Sequence, residues 1–229
     1  MNIVTNEKKI RSNARIAQVS GLLGLVVLGG GMVILFTRPE SYALVWGTVL
    51  IGFLLSQVGI YYTNRWGRHP RPDEHISNAL KGLGDNYTLY HYTTPTSHLL
   101  VGPAGIWVFL PRYQRGKITY EKGRWRQKGG GFLLQYLKVF GQEGIGRPDL
   151  EIEAETESIQ RYLHKRLPDT EIPPIQAALI FTDERAELEV ENAPAPSLTP
   201  KKLKEFIRKT AKSNPLSLTR VKEVQAAFE

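Results

Sequence analysis

The chain has 229 residues, 41% of them hydrophobic, with 30 Lys and Arg against 22 Asp and Glu and no Cys. That length suits one anchored domain of ordinary size, and the lack of Cys excludes a disulfide-stapled mini-protein, a thiolate metal site and a cysteine nucleophile. The formal charge of +8 is uneven: residues 1–15 are basic, Ile16 to Asn64 balances Arg38 against Glu40, and the rest of the excess lies from Arg65 onward.

Arg15 and Arg38 bracket an uncharged run of 22 residues, Ile16 to Thr37. At about 1.5 Å rise per residue, an apolar helix of that length crosses a hydrocarbon core of about 30 Å. A second uncharged run, Ser41 to Asn64, has 24 residues. The link between them is so short that the two helices are expected to be antiparallel neighbours, with both ends on one side. Lys8, Lys9, Arg11 and Arg15 precede the first run and Arg65, Arg68 and Arg71 follow the second, whereas the turn holds only Arg38. That asymmetry predicts a cytoplasmic side for both termini.

A signal peptide is the rival reading of the first run, but the run is too long and no small-residue cleavage site precedes the second. Ser20/Gly24 and Gly52/Ser56 are spaced as small residues are where membrane helices approach closely. Trp46, Tyr61, Tyr62 and Trp66 suit interfacial positions, and Gln57 suits an interhelical hydrogen bond. No charge lies inside either span, which gives a pump or channel little support. The expected organisation is a basic cytosolic tail (1–15), a two-helix transmembrane hairpin (16–64), a juxtamembrane linker (65–72) with the stiff His69-Pro70-Arg71-Pro72, and a cytosolic domain (73–229).

In that domain, Asp73 caps a predicted helix running to about Leu83, with Ile76, Ala79, Leu80 and Leu83 on its apolar side. Strands are predicted at Tyr87 to Tyr92, His98 to Val101 and Ile106 to Leu110, the last two joined by the turn Gly102-Pro103-Ala104-Gly105. Gly116 to Tyr120 and the segment around Trp125 read as a further hairpin. Gly129-Gly130-Gly131 reads as a flexible loop and not a phosphate cradle, since no Lys-Ser/Thr follows. Ile152, Thr156, Ile159, Leu163 and Leu167 recur at helical spacing. Pro174 to Thr182 is a nearly continuous apolar run, expected as a central strand buried on both faces, with Glu187 to Glu191 as its neighbour. Thr199-Pro200 opens a helix through about Ala211, and Ser217 to Phe228 a last short one. The fold class is α/β with a mixed sheet.

The phrases DEHISNALKGLGDNYTLYHY, SHLLVGPAGIWVF and RGKI, within Asp73 to Ile118, resemble the nuclease-related (NERD) domain, a degenerate branch of the PD-(D/E)XK nuclease-like (restriction-endonuclease-like) fold. In that family a helix carries a Glu, a strand opens on Asp-His, a Gly-Pro-x-Gly turn follows, the next strand ends Glu-x-Lys, and a Gly-Lys/Arg-Ile strand comes after. Laid on this pattern, Glu74 falls at the helix Glu, Ser97 replaces the Asp, Leu110 the Glu and Arg112 the Lys. Metal-dependent phosphodiester hydrolysis needs hard oxygen ligands for Mg²⁺. Leu110 offers no lone pair, and Arg112 keeps its proton. The resemblance therefore implies the scaffold without its ion site: no catalysis, no cofactor and no metal. The alternative is a divergent nuclease that holds Mg²⁺ on carboxylates from elsewhere in the chain or from a second subunit.

Replacement ligands are not apparent. Asp85, Glu121 and Glu143 do not end strands at a useful spacing, and Glu151, Glu153, Glu155 and Glu157 are expected to scatter around a solvated helix start. His69, His75, His91, His98 and His164 include no pair at ligand spacing on one helix, and each reads as a surface or half-buried side chain.

From Arg112 to Arg147 there are nine basic residues and two acidic, while Asp149 to Glu191 has four basic and twelve acidic. Arg112, Arg115, Lys117, Lys122, Arg124, Arg126 and Lys128 are the candidate binding residues. Alternation would place Lys122, Arg124, Arg126 and Lys128 on one side of a strand, with Tyr113, Tyr120 and Trp125 near in sequence. Such a row fits phosphate backbones, with aromatics stacking on unpaired bases. It equally fits anionic lipid heads, an acidic protein or water alone. The expected function is a membrane-anchored binding or scaffolding protein with lipid neighbours and nucleic acid as a candidate ligand.

Overall fold

The computed structural model describes residues 1–128 and 144–229, so Gly129-Gly130-Gly131, Lys138 and Glu143 lie outside the described residues. The chain divides into two units, Glu7–Arg71 and a second made of Met1–Asn6 with Pro72–Glu229.

In the first unit, α1 (Glu7–Thr37) and α2 (Tyr42–Tyr62) form a hairpin that ends in a π turn, Thr63–Gly67. Along α1 the buried residues Ile10, Ala17, Gly24 and Gly31 fall every seventh position, and on α2 Gly52 and Gly59 do the same. A seven-residue repeat keeps one seam facing the partner if the helices wind left-handedly. The seam is made of absent side chains. A Cβ on Gly24 would lie 2.7 Å from Ser56 Oγ and 3.2 Å from the Gly52 carbonyl, and one on Gly59 would lie 2.9 Å from the Gly21 nitrogen. Gly31 meets Thr48 in the same way, so partners run in opposite order along the two helices, as antiparallel packing requires. Ser20, Thr48 and Ser56 return their hydroxyls to carbonyls of their own helix. The small-residue pairs expected from the sequence thus lie at close approaches of the two helices, and Gly31 against Thr48 adds a further one.

The large side chains point outward: Phe36 is 76% and Trp46 72% exposed. Both helices are long and apolar enough to cross a membrane, and only 17% and 11% of their most apolar stretches are buried. A core helix of a soluble protein would be mostly buried. Tyr61, Tyr62 and Trp66 cluster at the end of α2, with the Arg65 guanidinium 3.8 Å from the Tyr61 ring centre.

Among its described residues the second unit contains α3 (Pro72–Leu80), α4 (Pro148–Arg166), α5 (Pro200–Ser213), α6 (Leu218–Ala226) and nine strands. They are β1 (Asn2–Thr5), β2 (Thr88–His91), β3 (His98–Gly102), β4 (Gly105–Arg112), β5 (Gly116–Glu121), β6 (Arg124–Lys128), β7 (Ile175–Phe181), β8 (Ala186–Glu189) and β9 (Ser197–Leu198). A six-stranded mixed sheet runs β1-β2-β3-β4-β7-β9, and a three-stranded sheet runs β6-β5-β8. β2, β3 and β4 are antiparallel to one another, while β7 lies parallel to β4 and reaches it through α4.

The large sheet is buried on both faces. Leu99, Val101, Ile106, Val108, Leu110, Leu179 and Phe181 face the side that holds α4, α6 and the small sheet. The intervening Leu100, Trp107, Phe109, Ala178 and Ile180 face α3 and α5. Strict alternation along β3, β4 and β7 is the two-residue period of a strand with a core on either side.

Three expectations change. Residues 2–5, read as part of a tail, form β1, parallel to β2 from Asn2 opposite Thr88 to Thr5 opposite His91. The segment after β7 is not its neighbour: β8 pairs with β5, and β7 is flanked by β4 and β9. Its alternation of Glu187 and Glu189 with Leu188 suits a sheet with one wet face, not the doubly buried centre. The first domain helix stops at Leu80, because Gly82 turns the chain with φ +85°.

Candidate functional site

The end of the large sheet where β2 finishes, β3 begins and β4 and β7 finish holds three of the positions singled out by the resemblance, Ser97, Leu110 and Arg112. Ser97 precedes β3 and is exposed. Leu110, two residues before the end of β4, is 6% exposed and packed with the α4-side core. Arg112 ends β4 on that same face, and its Nη2 donates to Glu151 Oε2 of α4 at 2.8 Å. Only 12% of the Arg112 side chain is exposed, so the ion pair is partly desolvated. Glu74 belongs to α3, which packs on the opposite face from Leu110.

The acidic start of α4 is therefore not merely solvated. Glu151 and Glu155 lie one helical turn apart, and Glu155 is held above the ordinary carboxylate range by burial and then by the Glu151 charge. Of the two, Glu151 is the one that accepts from the Arg112 guanidinium. Among the described residues, no three acidic or histidine side chains are placed to hold a metal ion.

The other face of the same sheet end carries a network that the sequence did not suggest. His91 and His98 are directly opposite in the β2–β3 register and each is 1% exposed. Their Nδ1 atoms are 2.8 Å apart, and His91 Nε2 is 2.9 Å from Ser77 Oγ on α3. Burial, and then the neighbouring His91, push His98 well below the ordinary histidine range, so it is neutral at pH 7. One Nδ1 must donate and the other accept. A chain running Ser77 to His91 to His98, or the reverse, satisfies both bonds. The network pins α3 to two strands. Two histidines flanking the six residues Tyr92 to Ser97 were the available signal, since closing that connection as a hairpin places them opposite each other.

The basic residues separate into distinct roles. Arg124, Arg126 and Lys128 are exposed and alternate with Trp125 and Gln127 on β6. Lys122 does not extend the row: it sits in the β5–β6 turn at φ 51°. Lys117 donates to Glu189 at 2.6 Å across to β8, and Arg112 is held by Glu151. Arg115 lies between β4 and β5, close enough to Asp183 to help keep that carboxyl below its ordinary range, although Arg185 has the larger part.

The aromatics also depart from expectation. Tyr120 and Trp125 are opposite each other, ring centres 5.1 Å apart, and Trp125 packs against Phe181 in the core. They lie on the inner face of the small sheet and the basic row on the outer, because neighbouring residues of a strand point to opposite faces. The outer face grades from Arg124, Arg126 and Lys128 on β6 to Glu187 and Glu189 on β8. It can meet anionic groups along its β6 border, and among the described residues of β5 and β6 both rings, Tyr120 and Trp125, lie on the other face.

Fold and site together define a mixed-sheet α/β domain joined to two helices of membrane-spanning length. Comparison with known proteins adds no closer relation: no family model, no curated protein and no solved structure matches the chain.

Proposed function

We propose that this chain is a membrane-anchored, catalytically inactive NERD-like protein whose domain binds the phosphate backbone of nucleic acid along β6. What supports the inherited scaffold is the chain order α3, β3, the Gly102 to Gly105 turn, β4, β5 and later α4 and β7, which follows the element order of the resemblance. The single observation that carries the loss of catalysis is at the end of β4. A buried leucine and an ion-paired arginine stand where the resemblance calls for a metal-binding Glu and a Lys.

The anchor reading is supported by chain order. β1 belongs to the domain's sheet and runs directly into α1, and α2 leads back to α3, so the spans are inserted into the domain and both their ends adjoin it. Removal of α1 as a signal peptide would strip β1 from the sheet. The basic flanks at Lys8 to Arg15 and Arg65 to Arg71 put the domain on the cytoplasmic side. A reporter fused after Glu229 is expected to be cytoplasmic; a signal from the opposite side would reverse the assignment.

Because Tyr120 and Trp125 face inward, the binding reading is one of charge along β6, so affinity depends on salt and little on sequence. Replacing Arg124 and Arg126 together by Glu is expected to weaken association with duplex DNA or RNA and to reduce the salt slope by about 2. Equal affinity in the double variant, or no affinity at low salt in the parent, would defeat this reading. Binding of the parent to anionic vesicles but not to nucleic acid would transfer the row to lipid.

A second reading is favoured by one observation, the Glu151 carboxylate paired with Arg112 and, one turn along α4, the Glu155 carboxyl that the Glu151 charge helps to raise. In it they hold Mg²⁺ or Mn²⁺ for cleavage. It requires hydrolysis of DNA or RNA that needs the ion and is lost in Glu155→Gln.

A further inference from the structure

Among the described residues the two sheets have four edges, and three are guarded in ways that stop strands from adding to them. β6 carries Arg124, Arg126 and Lys128. β8 carries Glu187 and Glu189. β9 is two residues long and lies between Pro196 and Pro200. β1 has none of these devices. Its sequence is Asn-Ile-Val-Thr, without charge or proline, and Ile3 and Val4 are 45% and 36% exposed.

The hydrogen-bond phase of β1 shows what the bare edge offers. The Asn2 N–H donates to the Tyr87 carbonyl at 2.8 Å and the Asn6 N–H to the His91 carbonyl at 3.0 Å, both toward β2. Strand groups alternate, so the N–H and C=O groups of Ile3 and Thr5 point away from β2, along the open edge. Two outward residues with one between them form a self-complementary set. Around a two-fold axis, Ile3 pairs with Thr5 of a second copy and Thr5 with its Ile3, giving four main-chain hydrogen bonds. Val4 then faces Val4 of the second copy on the axis.

We propose that β1 is a homodimerisation edge, joining the large sheets of two copies by antiparallel β1–β1 pairing centred on Val4. The occupant is a second copy because the two-fold pairing satisfies every outward group of the strand with an identical strand. A four-residue edge is far smaller than an interface that holds soluble proteins together. The anchor of the proposed function supplies what is missing, since copies confined to one bilayer meet at high effective concentration. The stability of the dimer, though not its register, rests on that reading.

The chain has no Cys, so single-cysteine variants report position without background. Opposed residues in a non-hydrogen-bonded antiparallel pair have Cα atoms about 4.5 Å apart, inside the range a disulfide spans. The full chain is reconstituted in lipid vesicles and, separately, concentrated in detergent, then oxidised mildly. Val4→Cys is expected to form a disulfide dimer. Ile3→Cys and Thr5→Cys are each expected to cross-link poorly alone but well when mixed, since 3 opposes 5. Ile3→Pro removes an outward donor that β2 does not use, and added to Val4→Cys it is expected to cut the cross-linked fraction about tenfold. Ile3→Lys, which adds the guard seen on β6, provides the same loss if the proline variant fails to fold. Cross-linking of Val4→Cys no greater than that of the exposed control Asn86→Cys, in vesicles and in concentrated detergent alike, overturns the proposal. Failure of the chain to stay in vesicles after alkaline washing defeats the anchor instead, and the detergent arm still decides the edge.

Discussion

The two units use the same apolar residue types in opposite directions. In Pro72–Glu229 most of the deeply buried residues are large, among them Phe109, Leu99, Ile159 and Phe181, and most charge lies outside. In Glu7–Arg71 the buried residues are small apart from Ile10, namely Ala17, Ser20, Gly24, Gly31, Gly52 and Gly59, while Leu22, Leu25 and Phe36 stand outward. Water drives large side chains inward because their burial removes apolar surface from it. Hydrocarbon exerts no such drive, so what remains to hold two helices together is close packing of their backbones, which large side chains would prevent. The hairpin shows the packing that suits an apolar surrounding, and the sheet unit the packing that suits an aqueous one.

The largest test of that contrast is a pair of aromatic truncations. Phe109→Ala, in the centre of β4, is expected to cost the sheet unit about 3–5 kcal/mol in denaturant unfolding. Phe36→Ala, on the outward side of α1, should leave the same transition within about 0.5 kcal/mol. Comparable losses would mean the hairpin face is buried against protein.

The converse change is smaller. Gly24→Leu puts a side chain where Ser56 and the Gly52 carbonyl already are and is expected to cost the hairpin about 1–3 kcal/mol. Loss of cysteine cross-linking between α1 and α2 reads it, and Gly29→Leu, a position with open space around it, is the matched control.

The smallest effect sharpens the picture of the polar network. The unfolded chain takes up the proton that buried His98 refuses, so stability is full above the ordinary value of 6.5 and falls as pH drops below it. The slope is at most about 1.4 kcal/mol per pH unit. Glu155, whose carboxyl is held high, works in the other direction just above its ordinary 4.5. His98→Asn should flatten the decline between pH 6.5 and 5 in thermal melts. An unchanged slope would place the titrating group elsewhere.

Much of the architecture was legible because it is local. The two uncharged runs, the turn Gly102-Pro103-Ala104-Gly105, the helical spacing of Ile159 and Leu163 and the apolar run at Pro174 to Thr182 all appear as the elements expected of them. β1 was not legible, because Asn-Ile-Val-Thr is too short to show a period and its partner lies more than eighty residues away. Lys122 read as part of a strand because a turn that accepts φ 51° at a lysine leaves no mark in composition.

The chain's sequence by itself determined where charge is absent, where the helices run and which strands are apolar enough to be central, since these follow from the properties of neighbouring residues. Only the tertiary structure decided that Arg112 meets Glu151, that Lys117 meets Glu189, that His91 faces His98 and that Trp125 turns inward. Such pairings depend on the register between segments far apart in the chain, and a slip of one residue in a strand would send each side chain to the other face.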